Sequence, residues 1–300
     1  MRPAFSVLFL TTLIGAGQGL FIAMFFVELF AADSVSPAFF VGGSLLVLAL
    51  CGLGLIASFF HLGHPERAWR AAMMWRTSWL SREVIALPAF MAAAFAYGLA
   101  HWSGFGHTVA LGVIGTLLAL TLFVCTAMIY AAVKVLQEWA HPLTVVNFTL
   151  LGMASGLSLA AAYAGISAPA LASPLAQAAF ILTVLALVTR GASLLRNAQL
   201  RPTSTLQSAL GIRHPKIVQK AQGAMGGSFN TREFFHGKSA GFVRGTLLAL
   251  VFGVFILPLA LLLTLPLPAF LIQYVGLLAE RWYFFAEAQH PQNLYYQGVS

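Results

Sequence analysis

A chain of 300 residues that is 60% hydrophobic and only 8% charged cannot cover a globular surface with polar groups, which excludes a water-soluble fold and makes the bilayer its solvent. Its net charge of +8, from 16 Lys and Arg against 8 Asp and Glu, would suggest nucleic acid in a soluble protein. Set between long apolar runs, the same charge reads as loop charge that orients the chain, and nucleic-acid binding is not expected.

The apolar runs approach the roughly 20 residues that cross about 30 Å of hydrocarbon as a helix. Stretches such as 243–265, whose one charge is Arg244 at its start, are otherwise apolar on every face, where a membrane barrel strand would alternate. Runs and breakers together predict eight spans, near 4–30, 37–60, 82–102, 108–135, 142–165, 174–196, 241–264 and 268–287. The expected fold class is therefore an all-α integral membrane protein of eight transmembrane helices, which could divide into two bundles of four. Met1-Arg2-Pro3 leads straight into the first run without a small-residue cleavage motif, so that run is expected to be a retained helix.

In the first span, Gly15, Gly17 and Gly19 surround Gln18. Small residues permit close helix packing, and Gln18 must find a neighbouring helix or border a ligand cleft. Four short turns, Ser34 to Pro37, Ser103 to Gly106, Pro169 to Pro174 and Pro266 to Pro268, carry no Lys or Arg. The opposite connections hold Arg2, then Arg67, Arg70, Arg76 and Arg82, then Lys134, the run from Arg190 to Arg244, and Arg281, which accounts for all sixteen. Cationic loops stay cytoplasmic, so both termini and the three longer loops are expected inside a bacterial inner membrane.

Between the second and third spans lies His61-Leu-Gly-His-Pro-Glu-Arg-Ala-Trp-Arg70, followed by Trp75-Arg-Thr-Ser-Trp-Leu-Ser-Arg-Glu83, a density of polar groups beyond the needs of a turn. His61 would end the second helix and Glu83 open the third, with Ser81 as its N-cap. An acid in a first turn and arginines in an inner loop also have purely structural uses. Functionally, a histidine titrating near neutrality and a partly buried glutamate could exchange protons with a ligand at the membrane boundary. A quinone meets that demand, since its reduction consumes two protons with two electrons. Arg82, Gln18 and Tyr130 are further candidates for such a cleft, although Tyr130 sits where interfacial aromatic anchors are common.

Ala57-Ser-Phe-Phe-His61-Leu-Gly, the Pro65-x-Arg67-Ala spacing and Ser78-x-x-Ser81-x-Glu83 resemble the membrane anchor subunit of dimethyl sulfoxide reductase-like molybdoenzymes. The eight-helix layout is shared over nearly the whole chain, while the specific motif is confined to residues 57–85. The resemblance implies an anchor that binds ubiquinone or menaquinone and exchanges electrons with an iron-sulfur subunit joined to a molybdopterin catalytic subunit. It also implies quinol-site roles for His61 and Glu83. Within the family, an anchor whose motif faces the cytoplasm resembles the quinone-dependent sulfite dehydrogenases, whereas respiratory dimethyl sulfoxide reductase anchors hold their catalytic subunits outside. Sulfite oxidation is the expected partner reaction, and quinol oxidation of the reductase type the alternative.

Several expectations complete the reading. Arg67, Arg70, Arg76, the Asn230 to His236 run with Arg232 and Phe234, and the tail around Arg281 mix charge with aromatics, as docking surfaces do. The basic loop 197–240 could equally meet anionic lipid. Cys51 and Cys125 lie within spans as packing residues, too few to hold an iron-sulfur cluster. The remaining histidines fall in loops or at helix ends, so neither haem nor a metal site is expected in this chain. A secondary transporter is the rival from another class, but it would place ionisable groups near the midplane.

Overall fold

The computed structural model describes residues 5–60, 62–201, 204–218, 220 and 238–289. Their architecture is entirely helical, with no strand among the described residues. The long helices are α1 (Phe5–Ala31), α2 (Pro37–Phe59), α3 (Trp79–Ser103), α4 (Thr108–Ala131), α5 (Pro142–Ser167), α6 (Pro169–Ala198), α7 (Ala240–Leu261) and α8 (Pro266–Glu287). The first seven are long and apolar enough to cross a membrane. Helix α8 has the length, 22 residues, but carries Glu280, Arg281 and Glu287 in its final turns. A 3-10 segment, Pro65–Ala72, lies between α2 and α3, and a single turn, Leu206–Leu210, follows α6.

The helix ends follow local chemistry. Proline opens α2, α5, α6 and α8, where its fixed φ suits the first helical position and its missing N–H is no loss. Helix α6 therefore starts at Pro169, and the turn expected across Pro169 to Pro174 shrinks to Ala168. Helix α3 begins at Trp79, not at residue 82, because Ser78 caps it by accepting from the Ser81 N–H. Ser81 is thus a buried residue of the first turn and not the expected cap. In α7 the segment Val251–Ile256 widens into a π-helix just before Pro258, which has no N–H to close the preceding turn.

Helices α1 to α4 pack as one four-helix group and α5 to α8 as another. They join mainly along α1 and α5, whose spanning windows are 78% and 72% buried against 22% for α7. That seam depends on glycine: a Cβ on Gly19 would lie 2.6 Å from the Gly152 carbonyl oxygen and 2.9 Å from the Gly156 Cα. A second crossing brings Gly253 of α7 against Gly276 of α8, where an added Cβ would meet backbone at 2.9 Å. Polar seams are satisfied between helices: Ser158 donates to the Gln273 Oε1 at 2.7 Å, and the Gln273 Nε2 donates to Thr183 at 3.2 Å, tying α5, α8 and α6.

The charge distribution corrects one expectation. Arg190 and Arg281 do not belong to loops: they are 2% and 4% exposed, inside α6 and α8. Arg281 consequently offers nothing to a docking partner at the surface.

Candidate functional site

Helices α1, α3, α4, α5 and α8 converge on a cavity of about 20 Å³ on the side of the bundle that carries the Pro65–Ala72 segment. That is room for about one water. Its polar wall is Thr12 and Gln18 from α1, Glu83 from α3, Thr126 from α4, Ser155 from α5 and Arg281 from α8; Phe123, Phe148, Leu151 and Leu277 supply the apolar wall. Glu83 lies four residues into α3, roughly 6 Å along its axis.

Glu83 is 8% exposed and accepts a hydrogen bond from the Thr126 hydroxyl at 2.5 Å. Gln18, also buried, donates its Nε2 to the Ala119 carbonyl at 2.8 Å, so the glycine-flanked amide both ties α1 to α4 and borders the cavity. A carboxyl, an amide, hydroxyls and a guanidinium stand opposite aromatic and aliphatic side chains, a wall that can hydrogen-bond one oxygen beside an apolar surface. With the walls as they stand, the cavity takes one oxygen-sized group.

Arg281 belongs to a buried ionic network. Its Nη1 is 3.0 Å from the Glu280 Oε2, the other oxygen of Glu280 is 2.9 Å from the Arg190 Nε, and the Arg190 Nη2 is 3.7 Å from Glu287. These contacts are close without being aligned as hydrogen bonds, and the Arg281 Nε has no hydrogen-bond partner. The guanidinium also lies 3.6 Å over the Phe148 ring. Isolated charges at this depth are costly, and here cations alternate with carboxylates.

Other expected site residues lie elsewhere. Arg82 fastens the overlying segment, its Nε donating to the Trp75 carbonyl and its Nη2 to the Arg76 carbonyl, each at 2.9 Å, while it stacks 4.1 Å from the Trp79 ring. Tyr130 is boxed by Trp139, Phe148, Phe284 and Phe285 with centroids 5.1–5.7 Å apart, and is not a cavity wall. Arg67, Arg70 and Arg76 are exposed. They share the surface with Trp69, Met73, Met74 and Trp75, all more than half exposed. His61, Arg232 and Phe234 lie outside the described residues.

Sequence reasoning missed Thr126, Arg190 and Glu280. Nothing marks Thr126 in advance, but Arg190 lay within the expected span 174–196 and Arg281 within 268–287, and a cation inside a span was a signal in itself. A second buried cluster was also missed, near the opposite ends of α1 and α3. There the Tyr97 hydroxyl donates to the Glu28 Oε2 at 2.8 Å and the His101 Nε2 lies 3.5 Å from the Glu28 Oε1. Among the described residues no group of three or more His, Cys, Asp or Glu is placed to hold a metal ion, and Cys51 and Cys125 are buried and free.

Eight long helices among the described residues, seven of them long and apolar enough to cross a membrane, define a polytopic membrane protein. Residues 1–216 match the family of DMSO reductase anchor subunits (DmsC), and the chain belongs to that family. It is 55% identical to the C subunit of sulfite dehydrogenase from Allochromatium vinosum over the full length of both proteins. It is 28% identical to the C polypeptide of the anaerobic dimethyl sulfoxide reductase of Haemophilus influenzae over 157 residues, 51% of this chain and 56% of that one.

Proposed function

We propose that this chain is the quinone-reactive anchor of a molybdenum enzyme complex that oxidises sulfite on the cytoplasmic side of a bacterial inner membrane. A partner iron-sulfur subunit passes electrons from the molybdopterin subunit to this chain's quinone site. The full-length identity to a sulfite dehydrogenase subunit supports that substrate over the reductase reaction, whose relative matches half of this sequence.

The observation that carries the quinone reading is Glu83: a buried carboxyl held by Thr126 and facing a cavity shared with Gln18 and Arg281. With one of its oxygens in that cavity, a quinone would supply the two-electron acceptor. Glu83 then holds or yields a proton at the ligand's oxygen, Thr126 fixes the carboxyl's direction, and the phenyl walls keep bulk water out. The exposed Trp69, Met73 and Trp75 with Arg67, Arg70 and Arg76 form a surface suited to the iron-sulfur partner. His61, which the sequence motif pairs with Glu83, completes the site in this reading.

Glu83→Gln tests it. In membranes containing the whole complex, quinone-dependent sulfite oxidation should fall about a hundredfold, the scale of losing a general acid or base. The amount of assembled complex should stay unchanged. Wild-type turnover in that variant would remove Glu83 from the mechanism.

A further inference from the structure

The buried arginine is the least expected part of this site. Arg281 is 4% exposed, lines the same cavity as Glu83 from the opposite helix, and keeps its Nε without a hydrogen-bond partner. Its own helix supplies Glu280 at 3.0 Å, and Arg190 of α6 holds the other oxygen of Glu280 at 2.9 Å. Glu280 is thus contacted from both sides, and Arg281 shares it with Arg190. Glu287, at 3.7 Å, contacts Arg190 and not Arg281, so two arginines face two carboxylates and Glu280 is the carboxylate in contact with Arg281. Phe148 beneath the guanidinium restricts its orientation.

We propose that Arg281 is the anion-holding group of the quinone site: it stabilises the negative charge that reaches the ligand's oxygen with the electrons, and Glu280 and Arg190 position it. The inference rests on the quinone reading of the Glu83 cavity. An oxygen entering the cavity meets Glu83 of α3 and Arg281 of α8 on different walls. Two electrons, passed one at a time through the partner's iron-sulfur subunit, and two protons would convert a quinone held there to the quinol. One proton comes to this oxygen from the Glu83 carboxyl, which is recharged from water, and the other reaches the second oxygen from the aqueous phase. Arg281 remains protonated throughout and donates only hydrogen bonds.

The competing role is a brace between α6 and α8, and charge-neutral replacement separates the two. The experiment uses the assembled complex in four variants, Arg281→Lys, Arg281→Gln, Glu280→Gln/Arg281→Gln and Glu83→Gln. It reads assembly by co-purification, binding of a fluorescent quinone-analogue inhibitor, and kcat and KM for quinone. Arg281→Gln should weaken analogue binding about tenfold or more and lower kcat/KM about a hundredfold, as loss of a preorganised oxyanion donor does. Arg281→Lys should recover part of both. The double variant removes a cation and an anion together, so it should assemble as the wild type while remaining defective in binding and turnover. If Arg281→Gln fails to assemble, the lysine and double variants carry the test.

A double variant that binds and turns over normally would overturn the proposal and leave Arg281 as a brace. Normal behaviour of all Arg281 variants beside an impaired Glu83→Gln would reject Arg281 alone. Normal binding and turnover in Glu83→Gln would instead reject the site on which the inference rests.

Discussion

Glu83 and Glu28 are both 8% exposed, and each accepts a hydrogen bond from a hydroxyl, but they lie in opposite halves of the bundle and in different surroundings. Glu83 faces a cavity bordered by Gln18 and Arg281. Glu28 is wedged among rings: Phe40 stacks on His101 at 4.2 Å, and Phe21 meets Tyr97 edge-on at 5.2 Å. A carboxyl with room beside it can trade a proton with a ligand or a water. One closed in by a phenol, an imidazole and two phenyl rings is a tie between α1 and α3. Burial, hydrogen bonding and an unpaired nitrogen nearby do not distinguish them, since the His101 Nε2 and the Arg281 Nε both lack a hydrogen-bond partner; the cavity beside Glu83 does.

Paired substitutions break that contrast most directly. Glu83→Gln should lower quinone turnover by about two orders of magnitude, whereas Glu28→Gln should leave turnover within about threefold, because an amide keeps the Tyr97 contact. Steady-state quinone reduction in the assembled complex reads both; an equal loss from Glu28→Gln would mean that the two halves share one proton route. Stability should show the reverse order. Glu28→Ala strands the buried Tyr97 hydroxyl and the His101 imidazole, costing about 1–3 kcal/mol. The expected result is a thermal midpoint in detergent several degrees lower, with the quinone KM unchanged. Tyr97→Phe should lower it by less, since Glu28 keeps His101 nearby.

The contrast also explains what could be read in advance. Eight long helices were legible, seven of them long and apolar enough to cross the hydrocarbon, and boundaries erred mainly where proline or serine chemistry decides the end turn, at Pro169 and Ser78. Gln18 was legible as a buried amide among glycines, and the Gly19–Gly152 approach gives the reason. Glu83 stood out through its motif. The cavity did not, because it needs Thr126 and Arg281 from helices remote in sequence, and no local pattern reports which faces of five helices converge. Arg281 was misread as a docking residue for the same reason: composition near a helix end looks alike whether the side chain turns toward lipid headgroups or into the bundle.

The smallest effects belong to loop 132–141, which closes the cavity-bearing half and has no counterpart beside Glu28. Trp139 there donates to the Phe284 carbonyl at 2.9 Å, and Arg196 reaches the Gln137 carbonyl at 3.1 Å, so the loop binds α8 and α6 together. His141 caps α5 by accepting the Leu143 N–H at its Nδ1, 3.2 Å away, which requires a neutral ring. Desolvation, with Arg196 nearby, holds its pKa below the ordinary 6.5. Its contribution is therefore present above that ordinary value and lost as pH falls through the lowered one. Glu138 behaves oppositely: burial pushes its carboxyl above the ordinary 4.5 against the pull of Arg196, so its contribution is present at low pH and lost as pH rises through the raised value. Thermal midpoints followed across the acid range should show His141→Asn, which can still cap, removing the acid-side loss, and Glu138→Gln removing the loss on the other side. Quinone KM should stay constant in both, because neither residue lines the cavity. A KM that moved with either substitution would show that this loop couples to the Glu83 site, and the cavity-bearing half would then be a single titrating unit and not a site beneath a structural cover.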